Sequence, residues 1–173
     1  SALEKCYALR KVTFGENLSS ITDGIPSSCN VLDTIVWNAK NYSTISSYSN
    51  GPLYNIRKQI KSITFGSNVN SIPAYLCYEM SGINIHIVIP SSVTSIAASA
   101  FAGCFMKLIF IPESVKTINA NAFQDCIYLI LIVEAASKPS GWALQWNTSD
   151  RPVIWNANGI ITDAQGLTYA IKK

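Results

Sequence analysis

Five cysteines, Cys6, Cys29, Cys77, Cys104 and Cys126, are the side chains in this sequence best suited to chemistry. Three share a local setting. "SALEKC" ends at Cys6, "SAFAGC" at Cys104 and "NAFQDC" at Cys126, each with Leu or Phe three places before the sulfur. A recurring thiol suggests metal ligation, a disulfide or a nucleophile. Structural zinc draws on close ligand pairs of the C-x₂₋₄-C kind. Here successive cysteines are 23, 48, 27 and 22 residues apart, and the one histidine, His86, lies in a strand-like run. No metal is expected. A catalytic thiol needs a base beside it and a lowered pKa. Cys104 and Cys126 are instead flanked by apolar residues, and although Asp125 precedes Cys126, no acid or His recurs beside them. No catalytic residue and no cofactor are expected.

The elements around the cysteines settle their spacing. "IPSSVTSIAASAFAGC" from Ile89 matches "IPESVKTINANAFQDC" from Ile111 without a gap, and "FGSNVNSIPAYLCYEM" and "FGENLSSITDGIPSSC" align in the same register. In each copy an apolar anchor (Phe14, Phe65, Ile89, Ile111) ends an alternating run. Leu18, Val69, Val93 or Val115 follows four places on, then Ile21, Ile72, Ile96 or Ile118 after three more. Eight beyond that isoleucine lies a sulfur slot, filled by Cys29, Met80, Cys104 and Cys126, and by Cys6 in a truncated first copy. Phe101 and Phe123, three places earlier, read as interior plugs, and Cys77 takes the plug position in its own copy. Met80 in the slot points to packing rather than reactivity. Cys6–Cys29 and Cys104–Cys126 fall in adjacent copies, about one strand spacing apart. Stacked side chains point the same way, however, which holds the Cβ atoms apart, and the count is odd. Free thiols are expected.

With Trp37, Val133 and Trp155 the anchors number seven, at spacings of 23, 28, 24, 22, 22 and 22. Self-similarity of this period, with one short strand per copy, marks a leucine-rich-repeat solenoid. The expectation is about six to seven coils of 22–28 residues, each with one short parallel strand and a short helical or irregular convex segment. The solenoid would span 1–155, with a truncated first repeat at 1–14 and a surface insertion near 40–58, where "STISSYSNG" carries a turn signal. Residues 156–173 read as a hairpin-like C-terminal cap within the same continuous domain, two strands around an Asp-Ala-Gln-Gly turn.

Composition fits a solvated solenoid. The chain of 173 residues is 49% hydrophobic and only 13% charged, with a net charge of +3. That charge is too small and scattered to point to nucleic acid, and the nearest basic cluster, Arg57, Lys58 and Lys61, has no aromatic platform in sequence. The longest apolar run, Ile127 to Val133, is far short of the roughly 20 residues a membrane helix needs. No signal peptide opens the chain, and Ser1 falls inside a repeat motif, so a fragment of a longer protein is expected.

The ungapped copies from Ile89 and Ile111 resemble the BspA-like, or Treponema-pallidum-type, leucine-rich repeats of bacterial cell-surface proteins. The resemblance covers Ser1 to about Trp155, is degenerate near 40–60, and extends to the closing segment from Glu134. It implies a surface-exposed or secreted, non-enzymatic module for binding or adhesion, with a protein partner such as host matrix or another cell surface. It brings no catalytic residues. The alternatives are an accessory carbohydrate-binding domain or a spacer in a larger surface protein or enzyme. An aromatic shelf of Trp37, Trp142, Trp146 and Trp155 would serve the first, but core or cap packing is the expectation for all four.

If anchors face inward, residues just before them face out on the concave strand surface. That row reads Thr13, Val36, Thr64, Val88, Phe110, Ile132 and Ile154, and the next reads Lys11, Thr34, Ser62, His86, Leu108 and Ile130. The first half is polar and the second apolar. Val88, Leu108, Phe110, Ile130 and Ile132, with His86, are the candidate partner-binding or self-association surface. The shorter links before Phe110 and Ile132 allow a flipped strand parity instead, and the tail offers a cover for the patch.

Overall fold

The structure, a computed structural model, describes residues 3–83, 86–162 and 168–172. The chain winds as a β-solenoid whose coils each contribute one short strand to a concave wall. These strands are β1 (Lys11–Phe14), β2 (Thr34–Trp37), β3 (Ser62–Phe65), β5 (His86–Val88), β7 (Leu108–Ile111), β9 (Ile130–Val133) and β10 (Val153–Ile154). The opposite wall carries β4 (Ser71–Ile72), β6 (Ser95–Ile96) and β8 (Thr117–Ile118). All these pairings are parallel, as a one-handed spiral requires.

Register follows the repeat grammar. Phe14, Trp37 and Phe65 are ladder partners, as are Ile111 and Val133. On the far wall Ile72, Ile96 and Ile118 stack. Val69, Val93 and Val115 are fully buried beside them. Convex segments expected to be helical or irregular are these two-residue strands and turns. Among the described residues the helices are two single 3₁₀ turns, Tyr48–Asn50 and Tyr54–Ile56.

Both turns lie in the insertion, which is more than a surface excursion. It buries Ile45, Leu53 and Ile56 in the core. Tyr48 stacks on Tyr78 at 5.1 Å, and Arg57 bonds Glu79 at 3.1 Å, which fastens the insertion to the following coil. Arg57 also lies 3.9 Å above the Tyr54 ring, an aromatic neighbour that spacing in the sequence did not suggest.

Two left-handed corners recur in the coils of Met80, Cys104 and Cys126, and one of them in each of the two earlier coils. One precedes the sulfur slot, at Lys5, Glu79, Gly103 and Asp125. The other lies four residues earlier, at Gly24, Tyr75, Ser99 and Asn121. Between them the chain turns the plug residue inward. Phe101 and Phe123 are fully buried, with parallel rings 5.7 Å apart. The column continues to Phe65 at 6.3 Å and to Trp146 at 6.2 Å.

Trp142 and Trp146 close the C-terminal end of the core, 2% and 6% exposed, with rings 4.6 Å apart. Trp142 bridges to Ile118, and its indole N–H donates to the Val115 carbonyl at 3.0 Å. Trp37 is fully buried. These tryptophans therefore pack in the core, the favoured reading, rather than form a shelf, with Trp155 half-buried against Trp142 and Trp146 at the C-terminal end. β11 (Ala157–Thr162) and β12 (Thr168–Lys172) form an antiparallel hairpin whose β11 lies against β9. The expected Asp-Ala-Gln-Gly turn lies outside the described residues.

No coil buries its apolar face alone, so stability lies in neighbour interfaces. Phe101→Ala is expected to cost about 3–5 kcal/mol in urea unfolding, with faster amide exchange concentrated in the two flanking coils; uniform loosening of all coils would contradict nearest-neighbour stacking. Ser99 holds a left-handed corner that Gly24 occupies in an earlier coil, and L-residues lose roughly 1–2 kcal/mol in that conformation. Allowing for the freer unfolded chain, Ser99→Gly is expected to stabilise by about 0.5–1 kcal/mol, read as a higher urea midpoint.

Candidate functional site: the sulfur ladder and the concave strand face

All five cysteines are free thiols, and Cys29, Cys77, Cys104 and Cys126 are fully buried. Their arrangement is a hydrogen-bond ladder. Cys29 Sγ donates to the Leu3 carbonyl at 3.3 Å, Cys104 Sγ to that of Cys77 at 2.8 Å and Cys126 Sγ to that of Phe101 at 3.0 Å. Each acceptor is the plug residue one coil back. Where Met80 fills the slot, the corresponding acceptor is Pro26, whose carbonyl takes the Cys29 amide at 3.0 Å. The slot thus prefers a compact apolar atom that also carries a weak donor, which describes a thiol. Size and apolarity alone do not account for it.

Burial works against reactivity. It pushes the Cys126 thiol up to about 12 from its ordinary value of 9.0, and raises Cys77 and Cys104 as well. Neutral thiols are poor nucleophiles and poor ligands. Among the described residues no three of His, Cys, Asp and Glu gather closely enough to hold a metal ion.

The concave face carries the other candidates. Strand parity is preserved throughout. Val88, Phe110 and Ile132 are ladder partners, and so are His86, Leu108 and Ile130. Val88 is 48% exposed and Ile130 36%, while His86, Leu108 and Phe110 are half-buried. Ile132 departs from the expectation. It is 1% exposed, because β11 lies over β9 and covers the outward side of that strand. The hairpin therefore ends the strip at Phe110 and Ile130 rather than hiding it.

The strip extends where the outward rows gave no hint. Phe105, Ile127 and Tyr128 are exposed on the turns that feed β7 and β9, and the Phe105 and Tyr128 rings meet edge-on at 5.6 Å. A signal was present. The residue after the sulfur slot faces solvent or its margin in every coil; it is Tyr7, Asn30 and Ser81 in the first three coils and Phe105 and Ile127 in the next two. Val88, Leu108, Phe110 and Ile130 on the strands and Phe105 and Tyr128 on the turns are thus the apolar side chains that these coils leave in contact with water, with exposed Lys107 between Phe105 and Leu108. The strands of the first coils offer Lys11, Thr13 and Thr64 instead.

The raised thiols have a pH consequence. Folding favours the neutral thiol, and the unfolded thiol ionises near 9, so stability is intact below that pH and falls as pH rises toward the folded value. Each such thiol removes about 1.4 kcal/mol per pH unit there. Urea midpoints measured from pH 8 to 11 should fall, and Cys126→Ala should flatten the slope; an unchanged slope would contradict an ionisation held off by burial.

The BspA type leucine rich repeat region matches residues 1–130 in six copies. Among solved structures, a leucine-rich repeat protein from Bacteroides ovatus is 21% identical with a TM-score of 0.54, over 77% of this chain and 34% of that one. A leucine rich cell surface protein from Faecalibacterium prausnitzii is 18% identical with a TM-score of 0.49, over 99% of this chain and 47% of that one. The chain thus spans between a third and a half of the length of these structures. No curated protein matches it. Six repeat copies over most of the sequence, wound as the parallel solenoid described above, make this chain a member of the BspA-type leucine-rich repeat family.

Proposed function

We propose that this solenoid is a binding module of a cell-surface or secreted protein, serves adhesion without catalysing a reaction, and recognises a protein partner through its concave face. The observation that carries this is the apolar strip of Val88, Leu108, Phe110 and Ile130 with Phe105 and Tyr128 at its margin. Large apolar side chains left in contact with water over a contiguous area usually mark an interaction surface. Aromatic anchors such as Phe105, Phe110 and Tyr128 are the kind that dominate protein interfaces. Aliphatic neighbours such as Val88 and Ile130 suit an apolar protein surface better than a hydroxyl-rich glycan. The buried, neutral thiols support a non-catalytic role. Kinship of the repeats with those of bacterial cell-surface proteins supports the location, and among the described residues no helix is long and apolar enough to cross a membrane.

The test is to present the isolated chain to immobilised extracellular-matrix proteins and cell-surface glycans, and to record its self-association by sedimentation. A protein partner, or a second copy, should be retained. Phe110→Asp and Ile130→Asp should each weaken that association at least tenfold, about 1.4 kcal/mol, with little change in melting temperature. Retention by glycans alone, or association indifferent to both substitutions, would overturn the proposal. A large fall in melting temperature for Phe110→Asp would place Phe110 in the core.

A further inference from the structure

The concave ladder is complete except at one step. β1, β2 and β3 form one sheet and β5, β7, β9 and β10 another, and among the described residues no strand hydrogen bond crosses from β3 to β5. On the far wall the same two coils stay joined, with Ser71 paired to Ser95 and Ile72 to Ile96. The coils are therefore stacked normally at the back and parted at the front. The longest link of the chain accompanies the parting. From sulfur slot to next anchor the chain takes 9 residues between Met80 and Ile89, against 8 before Phe14 and Trp37 and 7 before Ile111 and Val133.

The parting opens a cleft of about 350 Å³. Ser62 and Thr64 line one rim and His86 and Val88 the other, with Ile63, Phe65, Ile83 and Ile87 forming the floor. A second observation agrees. Phe65 is half-buried, whereas the anchors of the flanking coils, Trp37 and Ile89, are 0% and 1% exposed.

Peptide groups in a parallel ladder point alternately to the two neighbours. Ser62 and Gly66 donate to Asp33 and Trp37, on the β2 side, so Ile63 and Phe65 turn theirs toward the cleft. Ile89 donates to Phe110, on the β7 side, so His86 and Val88 turn theirs toward the cleft from the other wall. The result is an apolar pocket of ligand-binding size with main-chain donors and acceptors at its rim. No Asp, Glu, Lys or Arg lines it.

We propose that this cleft is an anchor pocket for one neutral aromatic side chain carrying a polar atom, tyrosine or tryptophan, from the protein partner. The inference rests on the concave face being the protein-binding surface, since Val88 belongs to both the apolar strip and the cleft rim. An aromatic ring would fill the space over Ile63, Phe65 and Ile87. Its hydroxyl or indole N–H would meet the peptide groups turned toward the cleft. A charged group would find no Asp, Glu, Lys or Arg among the described lining residues to pair with. Central pockets that desolvate a single aromatic anchor are where interfaces concentrate their affinity.

The test uses the isolated chain and small probes, independent of any partner. Indole and p-cresol are titrated into ¹⁵N-labelled protein, with benzoate and benzylamine as charged controls. Saturable shifts are expected at Thr64, Phe65, His86 and Val88, with dissociation constants in roughly the millimolar range. The charged probes should bind at least tenfold more weakly. Thr64→Trp, which places a ring across the mouth, should weaken indole binding at least tenfold, and Val88→Trp blocks the opposite rim should the first variant misfold. Absence of saturable shifts, equal binding of charged probes, or binding unaffected by the folded blocking variant would overturn the pocket. Such a failure would leave the apolar strip standing, because Phe110→Asp and Ile130→Asp test that surface without touching the cleft.

Discussion

Everything in this molecule depends on one constraint: no coil can bury its own apolar face, so each must present to its neighbour the same surface it receives. A shared register follows. Anchors stack on anchors, Ile72 on Ile96 on Ile118, and Phe101 on Phe123, because a one-residue slip would turn a whole wall inside out. The two left-handed corners serve that register by aiming each plug inward. The thiols of Cys29, Cys104 and Cys126 serve it by tying their slots to the plug carbonyl one coil back. Sequence between these fixed points is free to vary, and the variation is where function is to be sought.

The ends of the stack need other means. Trp142 and Trp146 cover the last plug, Phe123, with large rings, and Trp142 adds a bond from its indole to Val115. The hairpin of β11 and β12 does a different job. It lies on the concave side, covers Ile132, and so limits the apolar strip to the coils before it. The insertion, by burying Ile45, Leu53 and Ile56, widens the core of the early coils.

Much of this was legible in the sequence because stacking forces repetition. Anchors, slots and plugs recur at fixed offsets, and strand parity follows from them. What repetition does not encode was harder to read. The left-handed corners at Tyr75, Glu79 and Ser99 carry no glycine to announce them, since neighbouring coils hold them in place. Burial of Ile132 depends on a long-range contact with β11 that no local pattern specifies. Phe105 and Ile127 escaped the outward-row pattern because they lie on turns, outside the alternation that sorts strand residues into faces. The opening beside Phe65 lies at the longest of these links, one or two residues longer than its counterparts, a difference easily passed over as irregular spacing.

The central claim is that one inter-coil ladder holds the fold and is complete at every step of the concave wall but one. Residue-resolved amide exchange tests it most directly. Gly66 and Ile89, whose N–H groups donate to Trp37 and Phe110, and Ile130 and Leu131, which donate to Lys107 and Pro152, should exchange slowly. Phe65 and Val88, one residue away but facing the open step, should exchange much faster. Equal protection of Phe65 and Gly66, or of Val88 and Ile89, would mean that the ladder runs unbroken across β3 and β5 and would contradict the account.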